Sequence, residues 1–237
     1  MEVVSNNVAN INTTGFKGDT AIFEEYLMPG ASADQFARPD RRLSYVVDRS
    51  TWHDLSQGPV HQTGNPLDVA IEGKAFLTVQ TPRGERYTRN GSLQISATGE
   101  LVTMSGHTVV GDGGPIVLQA TDKDIVITKD GTIKVREGVA LTSDSTRGRL
   151  RVVSFANAQQ LQKDGASTFK APDGVTPQPV AKVNIVQGAV EKSNVRSVTE
   201  VTRMIELTRV YTEVAAILQQ QNDLRRNSIQ QLAEVPA

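Results

Sequence analysis

Hydrophobic and polar residues recur along the last part of the chain, Ser197 to Leu232, with the period of an α-helix. Ser197 followed three residues later by Glu200 forms a capping box, which predicts that the helix begins there. Neither glycine nor proline occurs between Val198 and Pro236. The predicted helix can therefore run unbroken for roughly 50 Å at about 1.5 Å per residue.

Two apolar seams follow this predicted helix side by side. One seam comprises Val201, Met204, Tyr211, Ala215 and Leu218, and the other comprises Leu207, Val210, Val214, Ile217 and Leu224. A doubled seam favours packing against neighbours on more than one side, as in a helical bundle. The alternative is a single helix that lies on the core of its own domain. Arg225 interrupts one seam, so the pattern is not a strict heptad repeat.

The N-terminal stretch has a shorter helical pattern. Val4, Val8 and Ile11 keep the spacing of one helical face, and the asparagines around them favour a turn near Gly15. Because the pattern starts in mid-helix, we expect further residues to precede Met1 in the natural protein.

The middle of the chain predicts a β-rich body. Short strand-like runs follow turn glycines at Asn90-Gly91, Thr98-Gly99 and Asp130-Gly131, and the first and third runs alternate at period two, which favours hairpins. The predicted fold is a mainly β central domain, built as an antiparallel sheet, sandwich or small barrel. A long C-terminal α-helix forms a helical terminal domain together with the N-terminal segment. The predicted segments are 1–28 for the N-terminal part of the helical assembly domain, 29–66 for an extended linker, 67–190 for the β-rich body and 191–237 for the C-terminal helix.

Charge and cysteine content narrow the possible partners. The chain has 25 Lys and Arg against 26 Asp and Glu, which gives no broad electrostatic case for nucleic acid or an anionic membrane. It has no cysteine, so a disulfide scaffold and a thiolate metal site are excluded. No apolar run is long enough for a membrane span, and no cleavable signal begins the chain.

Candidate catalytic and metal-binding chemistry is sparse. His53, His61 and His107 lack the spacing of a metal-binding helix, and Asp122, Asp124 and Asp130 do not have the spacing of a calcium loop. We therefore predict no catalytic residue, no metal, no cofactor and no enzyme activity. A rival hypothesis is a secreted β-sheet protein that binds glycan or acts on the cell wall, for which Trp52 is the main candidate residue.

Several sequence blocks resemble one family. They are the run from Ser5 to Lys17, Gly64 to Ile71, Tyr87 to Gly91, Gln187 to Val195 and Met204 to Leu207. In this order they resemble the bacterial flagellar rod and hook proteins. The stretch from Gly113 to Leu118 and the compact length are more similar to the proximal-rod members than to the distal-rod or hook members, which are the alternative.

The resemblance implies a structural subunit of the flagellar basal-body rod. Such a subunit leaves the cytoplasm through the flagellar type III export apparatus without signal cleavage, and polymerises in the periplasm with other rod subunits and neighbouring basal-body proteins. The resemblance further implies that terminal helices surround the export channel and that the β-body lies outside them. It implies no nucleic acid, no small-molecule substrate and no direct membrane insertion. Family members usually carry another helix before the asparagine-rich block, which would pair with the C-terminal helix.

Two residue sets are predicted to act in assembly. The predicted assembly face comprises Val201, Met204, Leu207, Val210, Tyr211, Val214 and Leu218. The segment predicted to fix how the N-terminal part leaves the bundle contains Asn6, Asn7, Asn10, Gly15 and Phe16. The alternatives are an intramolecular core for the first set and an ordinary turn for the second.

Overall fold

The computed structural model describes residues 1–27, 44–119, 121–137, 143–165, 167–180 and 182–233. Across these residues the chain is mainly β, with antiparallel sheets, a short N-terminal helix and a long C-terminal helix. The predicted fold class is confirmed. Residues 29–43 of the predicted linker lie outside the described residues.

Two helices stand at the ends of the described chain. Helix α1 spans Glu2–Ala9, and helix α2 spans Ser197–Ala233. Asn10 ends α1, and the chain then turns through Gly15, whose φ is +68°. A Cβ at Gly15 would lie 2.3 Å from the backbone nitrogen of Asn90, so both the backbone conformation and the lack of space require glycine there.

The strands follow in chain order. They are β1 (Asp19–Leu27), β2 (Ser44–His53), β3 (Val60–Gln62), β4 (Val69–Glu72), β5 (Phe76–Thr81), β6 (Gly84–Thr88), β7 (Leu93–Ile95), β8 (Leu101–Thr103), β9 (Thr108–Gly111), β10 (Gly114–Pro115), β11 (Lys123–Ile127), β12 (Thr132–Glu137), β13 (Ser143–Arg149), β14 (Val152–Ser154), β15 (Gln162–Lys163), β16 (Thr168–Lys170), β17 (Gln178–Pro179), β18 (Asn184–Gln187) and β19 (Ala189–Glu191). The range 29–66, predicted as an extended linker, therefore contains paired strands in its described part; the segment boundaries themselves stay a prediction.

All strand pairings in the described chain are antiparallel. The largest sheet has the order β15-β16-β6-β5-β9-β8-β7, with β10, β14 and β17 attached to it. A second sheet has the order β11-β12-β13, and β1 pairs with β2 as a separate ribbon. Strands β18 and β19 return to β4 and β3, so the end of the β-body lies beside its beginning. This return brings the start of α2 close to α1.

Two apolar clusters form the core. The larger contains Val69, Ile71, Ala75, Leu77, Val79, Leu93, Leu101, Val109, Ile116, Leu118, Ile127, Ile133, Val135, Leu150, Val152 and Ile185. The smaller contains Phe76, Tyr87, Val153, Phe155, Leu161 and Phe169. In the smaller cluster the Phe76 ring packs edge-to-face against Phe169 and Phe155, with centroids 5.7 and 6.0 Å apart.

One of the predicted hairpins is wrong. The turns at Gly99 and Gly131 do join paired strands, β7 to β8 and β11 to β12. The stretch at Gly91 does not, because β6 pairs with β5 and β16 whereas β7 pairs with β8. A Cβ at Gly91 would lie 1.8 Å from the carbonyl oxygen of Val69, whose amide donates to the Gly91 carbonyl at 2.8 Å. Glycine is needed there for a close backbone approach, not for a turn.

Candidate assembly interface

The long helix α2 exposes most of its apolar side chains. Every residue from Thr208 to Ile229 is exposed, including Tyr211 at 70%. Of the predicted assembly face, Met204 and Leu207 are half-buried, and the other members are exposed. Five further apolar residues that the predicted face omitted are also exposed, namely Val198, Ile205, Ile217, Leu224 and Ile229.

Exposed apolar side chains leave α2 without the burial that normally stabilises a helix. A solvated helix gains little stability from propensity alone, and most helical stability in proteins comes from burying an apolar face. Each Å² of apolar surface removed from water is worth about 25 cal/mol, so burial of these side chains against a partner favours association. Apolar side chains that recur at helical spacing on an exposed helix favour packing against a partner.

The N-terminal motif connects α1 to the start of α2 through Asn7. The buried Asn7 amide donates from Nδ2 to the Asp19 carbonyl at 2.8 Å, and its Oδ1 accepts from the Asp19 amide at 2.9 Å. The same Nδ2 lies 3.4 Å from Oε2 of Glu200 on α2. One side chain therefore bridges α1, β1 and α2.

The other members of the motif have different roles. Asn10 donates to the Asn6 carbonyl at 2.9 Å and accepts from the Thr13 hydroxyl at 3.1 Å, which shapes the turn after α1. Asn6 itself is exposed. Phe16 is fully buried, and the ammonium of Lys163 lies 4.2 Å from its ring centroid. The Gly15 amide donates to the carbonyl of Glu191 at 2.8 Å.

A buried ion cluster holds this junction together. The fully buried Glu191 carboxylate lies 2.5 Å from Nζ of Lys17 and 2.6 Å from Nη2 of Arg89. It also accepts from the Gly58 amide at 2.9 Å. The cluster therefore ties the N-terminal turn, the β-body and the segment that leads to α2. It was missed by sequence reasoning, although each member lies inside or next to a family block.

Burial sets the electrostatics of this cluster. Burial lowers the pKa of the Lys17 ammonium, and the Glu191 carboxylate opposes that shift by its charge and its hydrogen bond. Burial likewise lowers the pKa of the Arg89 guanidinium, again opposed by Glu191. Without the Glu191 carboxylate, both cations would be buried without this partner, which is costly.

A second polar contact secures the first residue of β1. Nδ1 of His53 lies 2.6 Å from Oδ1 of Asp19, and Nζ of Lys163 lies 2.7 Å from Oδ2. Burial alone would raise the pKa of Asp19, but the hydrogen bonds from His53 and Lys163 outweigh it and lower that pKa.

The segment at the start of α2 contacts the N-terminal part of the chain through Asn194 and Glu200. The Asn194 side chain accepts from the Gly18 amide and donates to the Asp54 carbonyl, both at 2.8 Å. Helix α2 begins at Ser197 as predicted, but the Glu200 carboxylate contacts Asn7 and Arg203 instead of completing a capping box. Glu200 joins the two helices, which is why its carboxylate is not used at the helix start.

The acidic residues considered for calcium have protein partners. Asp122 pairs with Arg147 at 2.6 Å, and Asp124 lies 3.6 Å from Arg136. Hydrogen bonds from Thr128 and Thr132 lower the pKa of Asp130 to about 2. Within the described ranges, no group of three or more His, Asp or Glu side chains could hold a metal ion, and no helix is long and apolar enough to cross a membrane.

Three family models match the chain, and each covers part of the architecture. The flagellar hook protein FlgE/F/G D1 domain matches residues 70–135, and the C-terminal model of the flagellar basal body rod FlgEFG proteins matches residues 186–232. The flagella basal body rod protein model matches residues 1–17. Flagellar basal-body rod protein FlgF of Caulobacter vibrioides is 33% identical over 237 residues, covering 99% of this chain and 92% of that protein. The chain belongs to the flagellar basal-body rod protein family.

Other rod proteins are similar to this chain over most of its length. FlgF of Escherichia coli K12 is 34% identical over 214 residues, covering 87% of this chain and 82% of that protein. FlgG of Agrobacterium fabrum is 33% identical over 229 residues, covering 89% and 85%. The FlgF relatives support a FlgF-like rod protein. These relatives are named as rod proteins, which is consistent with the prediction that the chain is not an enzyme.

Proposed function

We propose that this rod protein is a structural subunit of the proximal part of the flagellar basal-body rod, and that α2 is its polymerisation element. The observation that carries the proposal is the exposed apolar surface of α2, which the protein's own β-body leaves uncovered from Thr208 to Ile229. Packing these seams against neighbouring subunits supplies association energy that repeats at each subunit. Torque passes through packed side chains, and no chemical step is involved.

The junction gives this assembly its geometry. Asn7, Glu191 and Glu200 tie α1, the β-body and the start of α2 into one unit through buried contacts. A helix that is held at its start but exposed beyond it presents its seams in a defined direction. The predicted assembly face and the N-terminal motif thus have complementary roles in the proposal.

A charge within the exposed seam tests the proposal. Val214→Asp changes an exposed side chain, so the monomer stays folded, but burying an unpaired carboxylate at an interface is costly. We expect purified Val214→Asp to have the circular dichroism and melting temperature of the wild type yet to be absent from isolated basal bodies. Leu207→Asp is expected to be absent as well.

The matched control is Asn227→Asp, an exposed polar position on the same helix and on the face opposite both seams. It introduces the same charge, and Val, Asn and Asp have similar helix propensities, so we expect normal incorporation. Incorporation of Val214→Asp at the wild-type level would contradict the assignment of α2 as polymerisation element.

Export and location follow from the same proposal. We propose that the chain passes through the flagellar type III export apparatus into the periplasm without signal cleavage. Edman sequencing of the subunit recovered from basal bodies would then give the same N-terminus as the cytoplasmic pool. A shortened N-terminus in the basal body would contradict this route.

The FlgG relatives favour a second candidate, a distal-rod subunit. The two functions differ in which mutant the protein rescues. Restored swimming in a strain without FlgF, but not in one without FlgG, supports the proximal position, whereas the reverse pattern supports the distal one.

A further inference from the structure

A groove of about 520 Å³ opens beside the buried ion cluster, between the strand β2 and the end of β14. Its apolar surfaces come from Trp52, Leu55, Phe76 and Phe155. Trp52 is the only tryptophan of the chain, and its side chain is half exposed. A large aromatic side chain left half in water at a groove is typical of a binding surface.

Arg89 lines the same groove, and one of its N–H donors has no acceptor in the described part of the chain. Its side chain is 2% exposed. Its terminal nitrogens donate to the carbonyls of Ala75 and Ile71 and pair with Glu191. Its Nε is buried and has no hydrogen-bond partner among the described residues. A buried donor without an acceptor is rare in folded proteins, and this one belongs to a side chain that lines the groove. Oε2 of Glu191, which lies 2.6 Å from Nη2 of Arg89, likewise has no hydrogen-bond partner among the described residues.

The charged side chains around the groove carry a net positive charge. Lys74 and Arg89 line the groove with two positive charges, against the one carboxylate of Asp54. The buried pair of Lys17 and Glu191 behind the groove adds no net charge. Lys74 is exposed at the groove and forms no ion pair with any residue in the described part of the chain. The groove therefore favours an occupant with one negative charge and apolar surroundings.

We propose that this groove binds an extended peptide segment of a neighbouring rod subunit, in which a Glu or Asp carboxylate is flanked by apolar side chains. The carboxylate lies toward Arg89 and Lys74, and the apolar side chains cover Trp52 and Phe155. A neutral glycan would stack on Trp52 but would leave the excess positive charge without a partner, so the peptide is the favoured occupant. This inference rests on the proposed function, because it requires a neighbouring subunit.

The single tryptophan makes the groove directly observable. Purified full-length protein is titrated with acetyl-Leu-Glu-Leu-amide and with acetyl-Leu-Gln-Leu-amide while Trp52 fluorescence is recorded. We expect a saturable change with the Glu peptide and about tenfold weaker binding of the Gln peptide, as for loss of one charged contact. Equal responses to the two peptides, or no response to either, would overturn the proposal. So would a saturable change with chitotetraose and none with the Glu peptide.

Charge reversal at the groove provides the matched variants. Lys74→Glu is expected to weaken binding of the Glu peptide by about tenfold or more, because it places a carboxylate where the peptide carboxylate binds. Lys134→Glu makes the same change at an exposed position of β12 and is expected to leave binding unchanged. Equal effects of the two variants would show a nonspecific charge effect and would contradict the assignment.

Labelling in the assembled rod separates this inference from the proposed function. The chain has no cysteine, so Ala156→Cys places a single thiol at the groove. We expect polyethylene glycol maleimide to label it about tenfold more slowly in basal bodies than in the monomer, and fully after denaturation in urea. Equal labelling rates would overturn the groove assignment while leaving the rod function intact. Absence of the wild-type chain from basal bodies would instead overturn the rod function.

Discussion

The Glu191 carboxylate lies 2.5 Å from the ammonium of Lys17, although the two residues are 174 positions apart in the chain. Both side chains are almost fully buried, and Arg89 joins the same carboxylate at 2.6 Å. This contact joins the turn after α1 to the segment that leads into α2. A buried ionic contact therefore anchors the segment that leads into α2.

Removing the central carboxylate should destabilise the whole junction. In Glu191→Gln the amide cannot neutralise Lys17 and Arg89, so two buried cations lose their partner. We expect a loss of about 3–5 kcal/mol in the free energy of unfolding, measured by urea denaturation. The exposed pair of Arg209 and Glu213 offers a control, since Glu213→Gln is expected to cost less than about 1 kcal/mol. Equal losses in both variants would contradict the role given to the cluster.

The Asn7 bridge should matter more than its neighbour in the same motif. Asn7→Ala leaves the Asp19 amide and carbonyl without their partners, which costs about 1–3 kcal/mol. Hydrogen exchange should also accelerate in α1 and in the first turns of α2. Asn6→Ala alters an exposed residue of the same helix, and its stability is expected to lie within about 0.5 kcal/mol of the wild type.

Acid should weaken the contact between Asp19, His53 and Lys163. The pKa of Asp19 is lowered below its ordinary value of 3.8, so the unfolded state takes up a proton at a higher pH than the folded state. The stability that Asp19 contributes is complete above pH 3.8 and is lost as the pH falls through the lower folded pKa.

Unfolding free energies measured between about pH 5 and pH 2 should therefore fall less steeply in Asp19→Asn than in the wild type. Asp173→Asn removes a carboxylate that is exposed, and its curve is expected to run parallel to that of the wild type. A wild-type slope in Asp19→Asn would show that this aspartate does not contribute to the acid sensitivity.

The close approach at Gly91 gives a sharp steric test. A Cβ there would lie 1.8 Å from a backbone oxygen of Val69, and β4 must move to admit it. We expect Gly91→Ala to lose about 1–3 kcal/mol in urea denaturation, as overpacked cores do. At Gly113 the space within 4 Å of a Cβ is empty, so Gly113→Ala is expected to be neutral. Similar stability of the two variants would refute the steric explanation.

Much of the fold can be predicted from local patterns in the sequence. The helical period after Ser197, the alternation in the β-body and the turn residues at Gly99 and Gly131 each depend on neighbours in sequence, and each was predicted correctly. The ordered motifs also indicate the rod family without reference to any tertiary contact. Local propensity and periodicity are enough for such features, because the residues that determine them lie within a few positions of one another.

Only the tertiary structure decided how these elements meet. The pairing of β6 and β7 with other strands made Gly91 a contact point instead of a turn, and chain return through β18 and β19 brought Glu191 to Lys17 and Arg89. Glu200 likewise contacts Asn7, on the other terminal helix. Such contacts depend on the path of the whole chain, and a residue's neighbours in sequence do not encode which distant side chain shares its buried space.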